Sequence, residues 1–249
     1  MDFNYKNILH IIALLLLLFT VANILIIPFL SFFNIIPFHQ ALQSLGQIVE
    51  RNTFLEIFNF VFTIAFVFFV LILIPVLWYV LVNNLGLKES LKKMRLKTKD
   101  IDIAFLWGVL SAIIIFVVIT IIEFALIAMG VNIVEESNID ILDNLYSPVM
   151  LFFLVTIQPI AEEVFFRGFL LEKIEGFSGK NIAIFSTAIL FGIAHMSYGL
   201  VYPVIFPIII GFILAYIVIK TDNLYTAIIS HIIFNSATYI LYVLASSIV

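Results

Sequence analysis

Three short constellations in the second half of the sequence carry side chains able to move protons. Gln158-Pro-Ile-Ala-Glu162-Glu163-Val-Phe-Phe-Arg167-Gly168 sets two adjacent carboxylates one turn before an arginine, Phe191-Gly-Ile-Ala-His195 ends on an imidazole, and His231-Ile-Ile-Phe-Asn235 pairs an imidazole with a carboxamide. On an α-helix, residues four apart share a face, so Glu163 can pair with Arg167, while Glu162 points about 100° away and stays free. The same spacing stacks His231 and Asn235. A carboxylate and an imidazole in reach of one water can remove its proton, and a second imidazole with a carboxamide can donate hydrogen bonds to the oxyanion of a tetrahedral intermediate. That combination suits hydrolysis of an amide. Each part also has a plainer use: a Glu–Arg pair can be structural, and a lone intramembrane histidine more often joins two helices than catalyses. Convergence is what would turn them into a site.

The elements that must bring them together are membrane helices. In 249 residues, 64% are hydrophobic and only 11% charged, too little polar surface to cover a water-soluble globule. A net charge of −4, with no clustered basic face outside one short loop, argues against nucleic acid as a partner, and the absence of cysteine excludes disulfides and a thiolate nucleophile. A hydrocarbon core of about 30 Å needs roughly 20 apolar residues per helix. Runs of that kind fall at 8–33, 54–82, 103–130, 147–167, 181–198, 200–220 and 224–247, the fifth and sixth being one apolar stretch divided at 197–199. The expected fold is therefore all-α, a polytopic membrane bundle of about seven to eight transmembrane helices. It is read as one integral-membrane domain over 1–249, with a catalytic core of about 147–247. The first run is too long for a signal-peptide core and is read as a retained helix.

Orientation follows the basic residues, which gather in cytoplasmic loops. Asn83–Asp102 holds Lys88, Lys92, Lys93, Arg95, Lys97 and Lys99, and threading from it puts every other basic residue but Arg51 on the same side. The acidic connection of Glu135, Glu136, Asp140 and Asp143 then lies outside. The basic loop reads first as a solvated topology signal and second as a binder of anionic lipid. Folding the chain back at Gly176–Gly179 sets Glu162, 14 residues before the turn, level with His195, 16 residues after it, if the fourth helix continues to about Glu175. His231 and Asn235, at 1.5 Å rise, lie roughly 16–22 Å beyond Lys220 in the same stratum. Charged residues at such depth cost roughly 2.5–3.5 kcal/mol each, so they usually face the bundle interior.

Taken together and in this order, Glu162-Glu163-x-x-x-Arg167, Phe191-x-x-x-His195 and His231-x-x-x-Asn235 resemble the three motifs of the CAAX protease and bacteriocin-processing family (CPBP, or Abi) of intramembrane proteases, which includes the type II CAAX prenyl endopeptidases. The resemblance covers about residues 150–240. It implies a membrane endopeptidase in which Glu162 and His195 activate water, His231 and Asn235 stabilise the oxyanion, and Arg167 holds Glu163 or the local helix. No cofactor is expected on the metal-free account of such enzymes; on the metalloprotease account Glu162, His195 and His231 would hold zinc. Relatives with eight helices differ from the seven counted here.

Motifs of other hydrolases, His-Glu-x-x-His and Gly-x-Ser-x-Gly, do not occur. His10 and Glu123 are read as structural or interfacial. Rival readings are a proton-coupled transporter using the same carboxylates and histidines, against which the lack of two related halves counts, and a non-catalytic immunity or scaffold protein. The expected partners are the lipid bilayer and a peptide or protein substrate, prenylated or otherwise membrane-associated. The Ile-, Phe-, Lys- and Asn-rich composition points to a prokaryotic cell membrane.

Overall fold

A computed structural model describes residues 3–49, 52–131, 145–196 and 202–247. Its helices are α1 (Ile8–Phe32), α2 (Phe38–Val49), α3 (Thr53–Leu81), α4 (Leu87–Lys93), α5 (Ile101–Ala128), α6 (Pro148–Ser178), α7 (Lys180–Ala194), α8 (Tyr202–Thr221) and α9 (Tyr225–Ser246), and the described residues contain no strand. Six of these, α1, α3, α5, α6, α8 and α9, are long and apolar enough to cross a membrane. The all-α membrane bundle is thus observed. The run expected at 181–198 is corrected: α7 stops at Ala194, and its 15 residues rise about 22 Å, short of a full crossing. The division expected at 197–199, Arg51 and the acidic connection lie outside the described residues.

Side-chain chemistry explains the breaks inside the long helices. A proline ring crowds the carbonyl four residues earlier, and the chain relieves that crowding by widening into a π turn. Pro28 follows such a turn at Ala22–Ile26, and Pro75 follows one at Phe69–Leu73. Asn7 and Asn52 start α1 and α3 by accepting backbone N–H bonds on their side chains. Between α6 and α7 there is one residue, Gly179, at φ 84°, a conformation glycine adopts without steric cost. The hairpin therefore closes where the sequence placed it, with α6 running on past Arg167 to Ser178.

Two faces of the bundle are fixed by polar contacts. On one, Ser147 donates to Glu56 at 2.6 Å, Tyr239 donates to the Pro148 carbonyl at 2.9 Å, and Thr63 and Tyr146 share a hydrogen bond, tying the start of α6 to α3 and α9. On the other, Arg95 pairs with Glu175 and, at 3.0 Å, with Asp222; Lys97 pairs with Asp222, and Lys93 with Glu172 at 3.1 Å. Asn223 donates to the carbonyls of Lys97 and Lys99, and Leu224 donates to that of Arg95. The basic loop is thus more than a solvated topology signal: part of it is stapled to the ends of α6 and α8. The loop also contains α4, and the connection after α1 contains α2, an amphipathic helix that a search for apolar runs of about 20 residues passes over.

The centre of the bundle is α6. Half of its most apolar window is buried, against a third or less for every other span. Ala161 and Val164–Phe169 are all buried, with Phe165, Phe166 and Phe169 in the main core beside Tyr79, Phe191 and Leu214. The helix carrying both acids is consequently the one most enclosed by protein.

Candidate active site

Glu162 and Glu163 end the first α-helical part of α6, and a π-helical stretch, Val164–Leu170, follows at once before the α-helix resumes at Leu171. A π turn holds more than four residues, so positions four apart stay on nearly one face, and Arg167 reaches back over Glu163. Arg167 Nη1 donates to Glu163 Oε1 at 2.7 Å, and Nη2 donates to the Gly211 carbonyl of α8 at 3.3 Å. The guanidinium also lies over the Phe191 ring of α7, 4.3 Å from its centroid. One arginine thus touches its own helix, α7 and α8.

His231 enters from α9. Its Nδ1 lies 2.8 Å from Glu163 Oε1, the oxygen that also accepts from Arg167, and its Nε2 lies 3.9 Å from Glu162 Oε2. An ionised carboxylate only accepts, so Nδ1 carries the proton in that bond. Glu162 Oε1 accepts from the Gln158 amide at 2.7 Å, which leaves Oε2 turned toward His231. Glu163 and Arg167 are 0% exposed, His231 4% and Glu162 8%; four ionisable groups are therefore withdrawn from the surface and must satisfy one another. Glu163 Oε2 and Arg167 Nε are buried without a hydrogen-bond partner among the described residues.

His195 caps the C-terminal end of α7, half-buried. Its Nδ1 lies 2.7 Å from the Phe191 carbonyl, which can only accept, so Nδ1 is protonated and Nε2 presents a lone pair. The His195 and His231 rings flank Phe191, at centroid distances of 4.6 and 5.8 Å. Asn235 lies one turn beyond His231 on α9, half-buried, with no side-chain hydrogen bond among the described residues. The geometry therefore brings Arg167, His195 and His231 around Phe191, with Glu163 and Glu162 beside His231, and leaves Asn235 one turn away without a side-chain hydrogen bond to them.

Among the described residues, no three His, Cys, Asp or Glu side chains converge closely enough to hold a metal ion. His10 is buried elsewhere in α1 and accepts from the Asn4 N–H at 2.9 Å; Glu123 lies in the last turns of α5.

Three features escaped the sequence reading. Gln158 orients Glu162, a contact that its four-residue spacing signals. Glu163 serves His231 as well as Arg167, and Gly211 supplies a carbonyl, neither of which any local spacing reveals. Small residues explain the close approach: a Cβ on Gly211 would meet the Ala188 backbone at 3.1 Å and Arg167 at 3.2 Å, and one on Gly192 would meet the Val204 carbonyl at 2.9 Å.

Residues 144–237 match the family model described as Rce1-like, type II CAAX prenyl endopeptidase Rce1-like. The matched segment runs from the loop before α6 into α9 and contains every residue of the cluster. No curated protein and no solved structure gives a match to this chain.

Proposed function

We propose, for a chain whose residues 144–237 match the Rce1-like type II CAAX prenyl endopeptidase family model, that it is an intramembrane endopeptidase in which Glu162 and His195 activate a water without a metal. The observation that carries this reading is the approach of Glu162 to an imidazole from another helix, 3.9 Å from His231 Nε2, in the enclosed centre of the bundle. A carboxylate exposed to lipid, or isolated from both imidazoles, would have no such use.

The roles follow from the hydrogen bonds. Gln158 fixes one oxygen of Glu162, so the other is free to accept a proton. His195, with Nδ1 tied to the Phe191 carbonyl, offers Nε2 to the same water. The water oxygen attacks the scissile carbonyl carbon as its proton passes to Glu162. The carbonyl oxygen becomes an oxyanion, to which His231 Nε2–H and the Asn235 amide donate; this role requires His231 to carry a second proton on Nε2. Collapse of the intermediate expels the amine, which takes the proton held by Glu162, and a carboxylic acid and an amine leave. Glu163 and Arg167 position His231 and touch no reacting atom. The substrate is a peptide or protein, prenylated or otherwise held at the membrane.

The test is cleavage of a panel of internally quenched peptides, with and without a C-terminal prenyl group, by the purified protein in lipid. Glu162→Gln, His195→Ala and His231→Ala are each expected to lose at least about a hundredfold in rate per folded molecule, the first two keeping their thermal unfolding profile and His231→Ala losing some stability because buried Glu163 loses a donor. Undiminished cleavage by Glu162→Gln removes the proposed base. Lasting inactivation by a chelator, reversed by zinc, overturns the metal-free part alone.

A further inference from the structure

A second site lies away from the acid cluster. Where the basic loop, the start of α5 and the end of α8 meet, a cavity of about 440 Å³ is lined by Lys97, Lys99, Asp100, Ile103, Ala104, Trp107, Lys220, Thr221, Asp222 and Asn223. Its polar and apolar parts are layered. Lys97, Lys99 and Lys220 stand at the loop end beside Asp100 and Asp222, while Ile103, Ala104 and Trp107 descend along the first turns of α5. Asp222 is occupied by Arg95 and Lys97, whereas Lys99 and Lys220 make no ion pair among the described residues. Among the described residues, the cavity thus keeps two ammonium groups without a carboxylate partner, that of Lys220 lying over the Tyr216 ring at 5.9 Å, against one unpaired carboxylate, Asp100, beside an apolar wall.

A phosphate-bearing ligand would be drawn to those ammoniums, and the wall below distinguishes which kind. A free anion gains nothing from Ile103 and Trp107, and a tryptophan at the end of a spanning helix sits at headgroup level. Basic residues next to a membrane helix attract anionic headgroups. We propose that this cavity binds one anionic phospholipid, its phosphodiester between Lys99 and Lys220 and the first carbons of its acyl chains along Ile103, Ala104 and Trp107. Occupancy would wedge lipid between α5 and α8 beside the Asp222 staple.

Trp107 and Trp78 are the two tryptophans of the chain, so a Trp78→Phe background leaves Trp107 as the sole reporter. The protein is reconstituted in phosphatidylcholine vesicles containing, at equal mole fraction, either phosphatidylglycerol or phosphatidylcholine with brominated acyl chains, and quenching of Trp107 is measured. The apparent preference for the brominated phosphatidylglycerol is expected to be about fivefold or more. It should vanish in Lys99→Gln/Lys220→Gln and persist in Lys88→Gln/Lys92→Gln, which removes equal charge from exposed α4. Equal quenching by both lipids, or equal loss of preference in the two double variants, overturns the site in favour of annular lipid or general surface attraction. Loss of the preference on adding millimolar inorganic phosphate at constant ionic strength overturns the lipid assignment in favour of a free anion. None of these readouts depends on cleavage.

Discussion

The molecule uses the same ionic chemistry twice, once at the core of α6 and once where the basic loop meets α6 and α8, and the surroundings give the two groups different consequences. At the core, Glu163, Arg167 and His231 share interactions at 2.7 and 2.8 Å with almost no exposure. At the loop, Arg95 and Lys97 converge on an Asp222 whose side chain is 61% exposed. Desolvation makes the first group expensive to assemble and more expensive to break. Water and salt screen the second, so its pairs act as staples of modest strength. An ion pair that folding alone required would be cheaper at the loop. Its presence in the core fits a demand for a fixed, proton-bearing imidazole.

The contrast is sharpest in Arg167. Arg167→Ala strips buried Glu163 of its guanidinium and leaves it only the His231 contact among the described residues, and is expected to cost about 3–5 kcal/mol of stability, measured by denaturant or thermal unfolding in detergent. Glu163→Leu/Arg167→Leu removes both charges, is expected to recover most of that loss, and remains inactive because His231 Nδ1 has lost its acceptor. Should Arg167→Ala cost no more than a surface substitution, the buried network is not what holds α6, α7 and α8 together.

These two regions were also unequally legible in the sequence. The bundle could be read because apolar runs of membrane length are unambiguous, and the acid cluster because charge is costly at depth and four-residue spacing reports shared faces. Spacing reports only one helix at a time. It gave Glu163 and Arg167 as partners, but not the choice of His231 to bond Glu163 rather than Glu162, which depends on the rotation of α9 against α6. The length of α7 was misread because Ala194 is followed by further apolar residues, and hydropathy does not register the end of a helix. The loop network was missed for a complementary reason: Arg95, Glu175 and Asp222 lie far apart in sequence, and exposed charge carries no signal of its partner.

Between the two extremes stands the α7–α8 contact that presents His195. A methyl on Gly192 would press on the Val204 carbonyl and the Ile208 side chain. Gly192→Ala is therefore expected to cost about 1–3 kcal/mol through overpacking, and to lower cleavage more than this loss of folded protein accounts for, because His195 sits three residues on. Stability measured together with rate per folded molecule separates the two effects. A variant with unchanged stability and rate shows that α7 shifts freely and that His195 is not rigidly held.

The smallest effect belongs to the staple, where the sign with pH is distinctive. Burial pushes the Asp222 carboxyl upward, but the hydrogen bonds and charges of Lys97 and Arg95 outweigh it and hold the group below its ordinary range. A carboxylate depressed in the folded state stabilises above its unfolded value of about 3.9, and that contribution disappears as pH falls through the lower folded value. Solvent screening limits it to a few tenths up to about 1 kcal/mol. Asp222→Asn should accordingly unfold slightly more easily than the wild type at neutral pH, and the gap should close below about pH 4 or in molar salt, which shortens the screening length to about 3 Å. The core network, shielded from ions, should keep its Arg167→Ala penalty in the same salt. If instead salt closes both gaps alike, water reaches the acid cluster as freely as it reaches the loop, and the distinction between the two regions fails.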